Sequence, residues 1–176
     1  MLLGARTMAQ SGIRFQLYNM QWTFADVDQR SNVFALGYDH DMTPHLAFGV
    51  DAGYATLETR TGNNGFGGSS SARQYVLNYR SYYLTGRDNE STSFYVGSYL
   101  GVRRIVFDGP SRSITAVPLG FRLGIRGGLP GFFMDLYGEA GMQLGGALPK
   151  GAYENTGGSL SGPQFRIGAD FGIGWD

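Results

Sequence analysis

Gln164-Phe165-Arg166-Ile167-Gly168-Ala169-Asp170-Phe171-Gly172-Ile173-Gly174-Trp175 alternates without a break. Phe165, Ile167, Ala169, Phe171, Ile173 and Trp175 form one face, and glutamine, arginine, aspartate and glycine form the other. Successive strand residues point to opposite sides, so this period of two describes a β-strand with one apolar face. The pattern recurs upstream. Val117, Leu119, Phe121, Leu123 and Ile125 oppose Pro118, Gly120, Arg122, Gly124 and Arg126 in a sixth strand. Leu46, Phe48, Val50, Ala52 and Tyr54 alternate with His45, Ala47, Gly49, Asp51 and Gly53 in a third, and Phe132, Met134, Leu136, Ala140 and Met142 with Asp135, Tyr137, Glu139 and Gln143 in a seventh. Strands two, four and five carry Phe34, Leu36 and Tyr38; Tyr75, Leu77, Tyr79 and Tyr83; and Phe94, Val96, Leu100 and Val102. In the first strand Ile13, Phe15 and Leu17 follow one phase and Tyr18, Met20, Trp22 and Phe24 the other, which a bulge near Leu17 reconciles.

No segment holds a helical period, so eight antiparallel strands make an all-β chain. Its connections alternate in length. Asp41 to Pro44, Gly86 to Ser91 and Gly127 to Gly131 are short, whereas Arg60 to Ser71 and Gly145 to Gly162 are long, and Ala25 to Ser31 and Asp108 to Arg112 join the long end. Such asymmetry between the two ends is that of an outer-membrane barrel with short periplasmic turns and longer external loops.

The composition narrows the classes further. The 14 basic and 14 acidic residues cancel, which removes the field that would attract nucleic acid. The absence of cysteine excludes thiolate chemistry and disulfides. No apolar run reaches the length of a membrane-spanning helix. Residues 1 to 9 have the character of the end of a secretory signal, with Thr7-Met8-Ala9 as a small-residue cleavage site before Gln10, leaving 10 to 176 as one barrel domain.

Alternation alone does not say which face is inside, and a soluble lipocalin-like carrier of an apolar ligand shares the strand count. The polar face decides. It holds Gly49, Gly53, Gly97, Gly101, Gly120, Gly124, Gly168 and Gly172, residues that weaken a water-facing strand but make room in a narrow lumen for arginine or tyrosine. The same face carries Asp39, Asp51, Asp135, Glu139 and Asp170 against Arg80, Arg103, Arg122, Arg126 and Arg166, a composition suited to buried bidentate pairing. If Arg122 stands opposite Glu139, the same register sets Arg126 opposite Asp135. On the apolar face, Trp22, Phe24, Tyr75, Tyr83, Phe94, Phe132 and Trp175 gather towards strand ends, as aromatic girdles do at membrane interfaces.

With these strands and the final segment Phe165 to Trp175, the chain over residues 12 to 176 resembles the small outer-membrane barrels of the OmpA and OmpX type, in the form found among Bacteroidota porin-like proteins. The resemblance implies export, insertion by the barrel assembly machinery, outer-membrane lipid around the wall, and both termini in the periplasm. Members usually end in an aromatic residue that the machinery reads; here Trp175 is penultimate, before Asp176.

Few residues suggest chemistry. Asp39, His40, Asp41 and His45 are ligand types, but the histidines flank a turn in opposite phases, so a solvated turn is expected and no metal. A lipid-modifying enzyme of the outer membrane would need a nucleophile and histidine near the outer leaflet, or a lipid-sized hole, and the histidines belong to the opposite end. Gly62 to Gly68 is rich in glycine without a phosphate-loop lysine, and Lys150, Tyr153 and Glu154 lie in a long external loop. The expectation is a non-enzymatic barrel without cofactor, its lumen plugged by side chains, its external loops serving recognition or an envelope protein partner.

Overall fold

The computed structural model describes residues 11–24, 27–43, 45–61, 69–85, 92–107, 113–129, 131–145 and 159–175. The signal-like residues 1 to 9, the glycine-rich segment Gly62 to Gly68, the loop residues Lys150, Tyr153 and Glu154, and Asp176 lie outside them.

Eight strands follow one another: β1 Ser11–Thr23, β2 Val27–Asp41, β3 Leu46–Thr61, β4 Ser69–Thr85, β5 Thr92–Phe107, β6 Ser113–Leu129, β7 Phe132–Gly145 and β8 Gly162–Trp175. Each pairs antiparallel with its sequence neighbour, and β1 pairs with β8 to close the barrel. Closure leaves no unpaired edge. At the seam Ile13 opposes Ile173 and Phe15 opposes Phe171, whose rings stack at 5.0 Å between centroids.

The phase change of the first strand is a bulge. The register of β1 on β8 runs Gln16 to Asp170 and then Tyr18 to Ala169, so Leu17 is the extra residue. A single inserted residue rotates everything after it to the other side of the sheet. That is why Phe15 and Trp22 both belong to the outer wall despite their odd spacing.

Several strands run further than their alternation suggests. The expected Gly127 to Gly131 turn contracts, because Gly127 and Gly128 pair with Met134 and Phe133 inside the β6–β7 ladder. A Cβ at Gly128 would stand 2.2 Å from the Phe132 carbonyl oxygen, so glycine there permits close strand approach rather than a turn. Gly131, with φ of 82°, takes the left-handed conformation of the real turn. Similarly β3 and β4 extend into the expected Arg60 to Ser71 connection, and β2 starts within Ala25 to Ser31.

The facing matches the alternation. Phe121, Leu123, Phe34 and Phe94 stand 72, 63, 62 and 62% exposed on the outside, while Arg122, Asp135 and Asp170 are at 1% or below inside. Water-soluble folds place these groups the other way round.

Candidate functional site

The lumen is built in layers. Near the short turns, Ala47, Tyr82, Leu84, Tyr95 and Tyr137 form one buried apolar cluster. Towards the long connections, Leu57, Ala72, Ile105, Phe107, Ile114 and Leu160 form another. The charged residues and a set of glutamines occupy the space between.

Register places the first pairs. Arg122 lies opposite Glu139 and Arg126 opposite Asp135 on β6 and β7, as their equal residue sums require. Arg122 Nη1 donates to Glu139 Oε1 at 3.2 Å, and Arg126 Nη2 to Asp135 Oδ2 at 3.2 Å. Barrel closure then brings distant strands into the same group. Asp135 Oδ2 also accepts from Arg122 Nη2 at 3.2 Å and from Arg14 Nη1 at 3.4 Å. Asp170 Oδ2 accepts from Arg14 Nη1 at 3.2 Å and Arg122 Nη2 at 3.4 Å. Asp39 accepts from Arg14 Nη2 and, through Oδ2, from Arg126 Nη2 at 2.9 Å. Glu139 Oε2 lies 3.0 Å from Arg166 Nη1, and Asp51 Oδ2 lies 2.9 Å from Arg80 Nη2 while Asn78 Nδ2 donates to Oδ1 at 2.7 Å.

Aromatic rings pin the guanidinium planes. Arg122 lies 3.5 Å above the Tyr137 ring and its Nε donates to the Tyr95 hydroxyl at 2.8 Å. Arg126 packs over Tyr82 and Phe133 at 4.9 and 4.6 Å. Delocalised guanidinium suits both stacking and forked pairing, which accounts for arginine in place of lysine.

The expected network therefore assembles with two differences. Arg14, not among the expected charges, is 1% exposed and bridges Asp39, Asp135 and Asp170 from β1. Its signal was the outward phase of Ile13 and Phe15, which turns position 14 inward. Among the described residues Arg103 stands apart from the ion pairs: its Nη1 donates to Gln143 Oε1 at 2.9 Å, and Gln143 Nε2 donates to the Leu160 carbonyl at 2.9 Å.

Of the expected girdle, Tyr83, Phe94, Phe132 and Trp175 stand outward beside the short turns, each between 43 and 62% exposed. Phe24, at the opposite end, meets Phe165 edge-on at 6.1 Å, and Trp22 is half-buried. Tyr75 is not at a strand end. Since β4 begins at Ser69, Tyr75 sits within the wall, facing Tyr54 at 5.6 Å.

The two histidines do not converge. His40 Nδ1 lies 2.9 Å from Ser11 Oγ and its ring meets Tyr38 and Phe48, while His45 Nδ1 donates to the Leu84 carbonyl at 3.2 Å and stacks on Tyr83. Among the described residues no three histidine, aspartate or glutamate side chains are arranged to hold a metal ion.

No protein-family profile matches the chain, and no curated protein matches its sequence. Solved structures do match its fold. Neisserial surface protein A superposes with a TM-score of 0.61 at 13% identity, covering 94% of this chain and 96% of its own. OprG from Pseudomonas aeruginosa gives 0.59 at 14% identity over 95% and 96%. Ail, the attachment invasion locus protein of Yersinia pestis, solved with the heparin analogue sucrose octasulfate, gives 0.57 at 15% identity over 94% and 98%. The chain has the architecture of these small eight-stranded barrels along nearly its whole length.

Proposed function

We propose that this chain is a non-enzymatic integral protein of a bacterial outer membrane, held by its apolar wall and presenting its long connections for recognition. The observation that carries the reading is the inverted burial: Phe121 is 72% exposed while its neighbour Arg122 is 1% exposed. A hydrocarbon solvent stabilises that arrangement, and a closed barrel satisfies every strand's backbone without water. OprG, an outer membrane protein by description, has the same architecture, which supports the location.

In this reading the short turns and both termini face the periplasm, the barrel assembly machinery inserts the exported chain, and outer-membrane lipid surrounds the wall. An envelope protein partner would meet the external loops or the wall itself. A soluble carrier of apolar ligands fits less well, because the space between the apolar layers is lined by arginines and carboxylates. A lipid-modifying enzyme fits less well too, because His40 and His45 both lie beside a short turn, at the end opposite the external loops.

The test is purification without and with detergent, followed by electrophoresis of heated and unheated samples. The reading expects a detergent requirement and a folded band that shifts on heating. A monomer stable in plain buffer would overturn it.

A further inference from the structure

We propose that the outer wall binds the phosphate headgroup of a lipid at Arg73 and Arg104, on the long-connection end of β4 and β5, a site that rests on the reading of the wall as lipid-facing. The lumen does not absorb every arginine. Arg30, Arg73 and Arg104 follow the outward phase of β2, β4 and β5 and are exposed. Among the described side chains they are the only outward arginines, and all three lie towards the long connections. Glu58, the one outward carboxylate among those side chains, stands opposite Arg30 and diagonal to Arg73. Arg104 is the cation farthest from it in register.

Arg73 and Arg104 are neighbours on one face. Arg73 pairs with Val106 and Arg104 with Tyr75, so the two arginines stand diagonally across the β4–β5 ladder, about 7 to 8 Å apart at the backbone. Like charges at that spacing repel, and an anion between them turns the repulsion into attraction on both sides. Phosphate suits the place, because each planar guanidinium can fork onto two of its oxygens.

The surface next to the arginines makes the anion part of a lipid. Continuing along the same outward faces towards mid-wall come Leu77 paired with Val102 and Tyr79 paired with Leu100, each between 48 and 58% exposed. Arg104 turns away from that strip. It stands opposite Thr115, yet its Nη2 donates to Ser113 Oγ at 3.2 Å, two residues nearer the end of the barrel. A stem on apolar wall with a charged head reaching for the rim is how arginine sits at a membrane interface. The ligand that meets both features carries a phosphate at the rim and hydrocarbon chains against Leu77, Leu100 and Val102; a soluble anion leaves the apolar strip unmet. Across the barrel the same end is apolar, with Leu144 and Phe165 at 52 and 47% exposure, so the charge is local rather than a property of the whole rim.

Native mass spectrometry of the refolded protein, released from detergent micelles doped with phosphatidic acid or with diacylglycerol of the same chains, tests the site. The parent should retain phosphatidic acid and not diacylglycerol. Arg104→Gln should weaken that retention, and Arg73→Gln combined with Arg104→Gln should reduce it roughly tenfold. Arg30→Gln removes the same charge as Arg104→Gln, beside Glu58, and should match the parent. Equal retention of the two lipids by the parent overturns the proposal. So does an equal loss in Arg30→Gln and Arg104→Gln, which would reduce the effect to net charge, and so does displacement of the lipid by glycerol phosphate at equal concentration, which would assign the arginines to a free phosphate. The heat-induced gel shift confirms folding of each variant; if the double variant does not fold, Arg104→Gln against Arg30→Gln decides. Failure of the membrane reading itself shows separately, as a parent that stays folded and monomeric before any detergent or lipid is added.

Discussion

Glu139 is shared by two arginines on opposite sides of its strand: Oε1 lies 3.2 Å from Arg122 Nη1 on β6, and Oε2 lies 3.0 Å from Arg166 Nη1 on β8. Both cations are at 2% exposure or less. Glu139→Gln keeps the shape and removes the charge, so two buried guanidiniums lose their common counterion. Breaking a buried pair from one side costs about 3 to 5 kcal/mol. Adding Arg166→Met should recover part of that loss, because the double variant removes one charge of each sign. Urea titration of the folded fraction in lipid vesicles measures both; equal or additive losses in the double variant would refute the coupling.

Leu123 lies on the outer wall at 63% exposure, opposite Val96 and Gly138. Leu123→Arg places a charge on the lipid face, at a cost of about 2 to 4 kcal/mol near mid-membrane. Leu119→Met changes little, as both side chains are apolar and similar in volume. The heat-modifiable fraction after refolding into vesicles should drop for the first and match the parent for the second. Efficient insertion of Leu123→Arg would show the wall to face something other than lipid.

Gly168 and Gly138 give a contrast between the two faces. A Cβ at Gly168 would come within 2.3 Å of Tyr137 Cζ, and that ring is already pressed beneath Arg122, leaving it no room to retreat. A Cβ at Gly138 meets nothing within 4 Å. Overpacking of a filled interior costs about 1 to 3 kcal/mol, so Gly168→Ala should destabilise by that order. Gly138→Ala should stay within about half a kcal/mol of the parent. Thermal gel-shift midpoints of the two variants compare them directly.

Strand faces were legible because a period of two survives any amount of tertiary context. The Arg122–Glu139 and Arg126–Asp135 pairs were legible because one register sets both. Arg14 was legible only from the outward phase of Ile13 and Phe15, a stretch that the bulge at Leu17 cuts short. The apolar lumen layers were hidden by composition rather than by phase. Ile105 and Phe107 look like outward residues, yet they share the inward phase of Gly101 and Arg103 on β5, and Leu160, outside the strands, packs against them. Contacts such as Arg126 with Asp39 and Arg103 with Gln143 join strands that are not neighbours, so no pairing register contains them.

The same layering predicts that the barrel is closed to solutes. Eight strands enclose a space that side chains nearly fill, and here Arg14, Arg122 and Arg126 meet across it on shared carboxylates. Apolar clusters lie on both sides of that cross-section. Liposomes carrying the reconstituted protein should therefore swell in small sugars no faster than empty liposomes. The closure has two separable causes. Glu139→Gln loosens the ionic layer and leaves Leu57, Ile105, Phe107 and Leu160 in place, so it should remain as closed to sugars as the parent even where it is less stable. Swelling by the parent would mean that the packed lumen opens in the bilayer; swelling by Glu139→Gln alone would assign the barrier to the ion pairs rather than to the apolar cap.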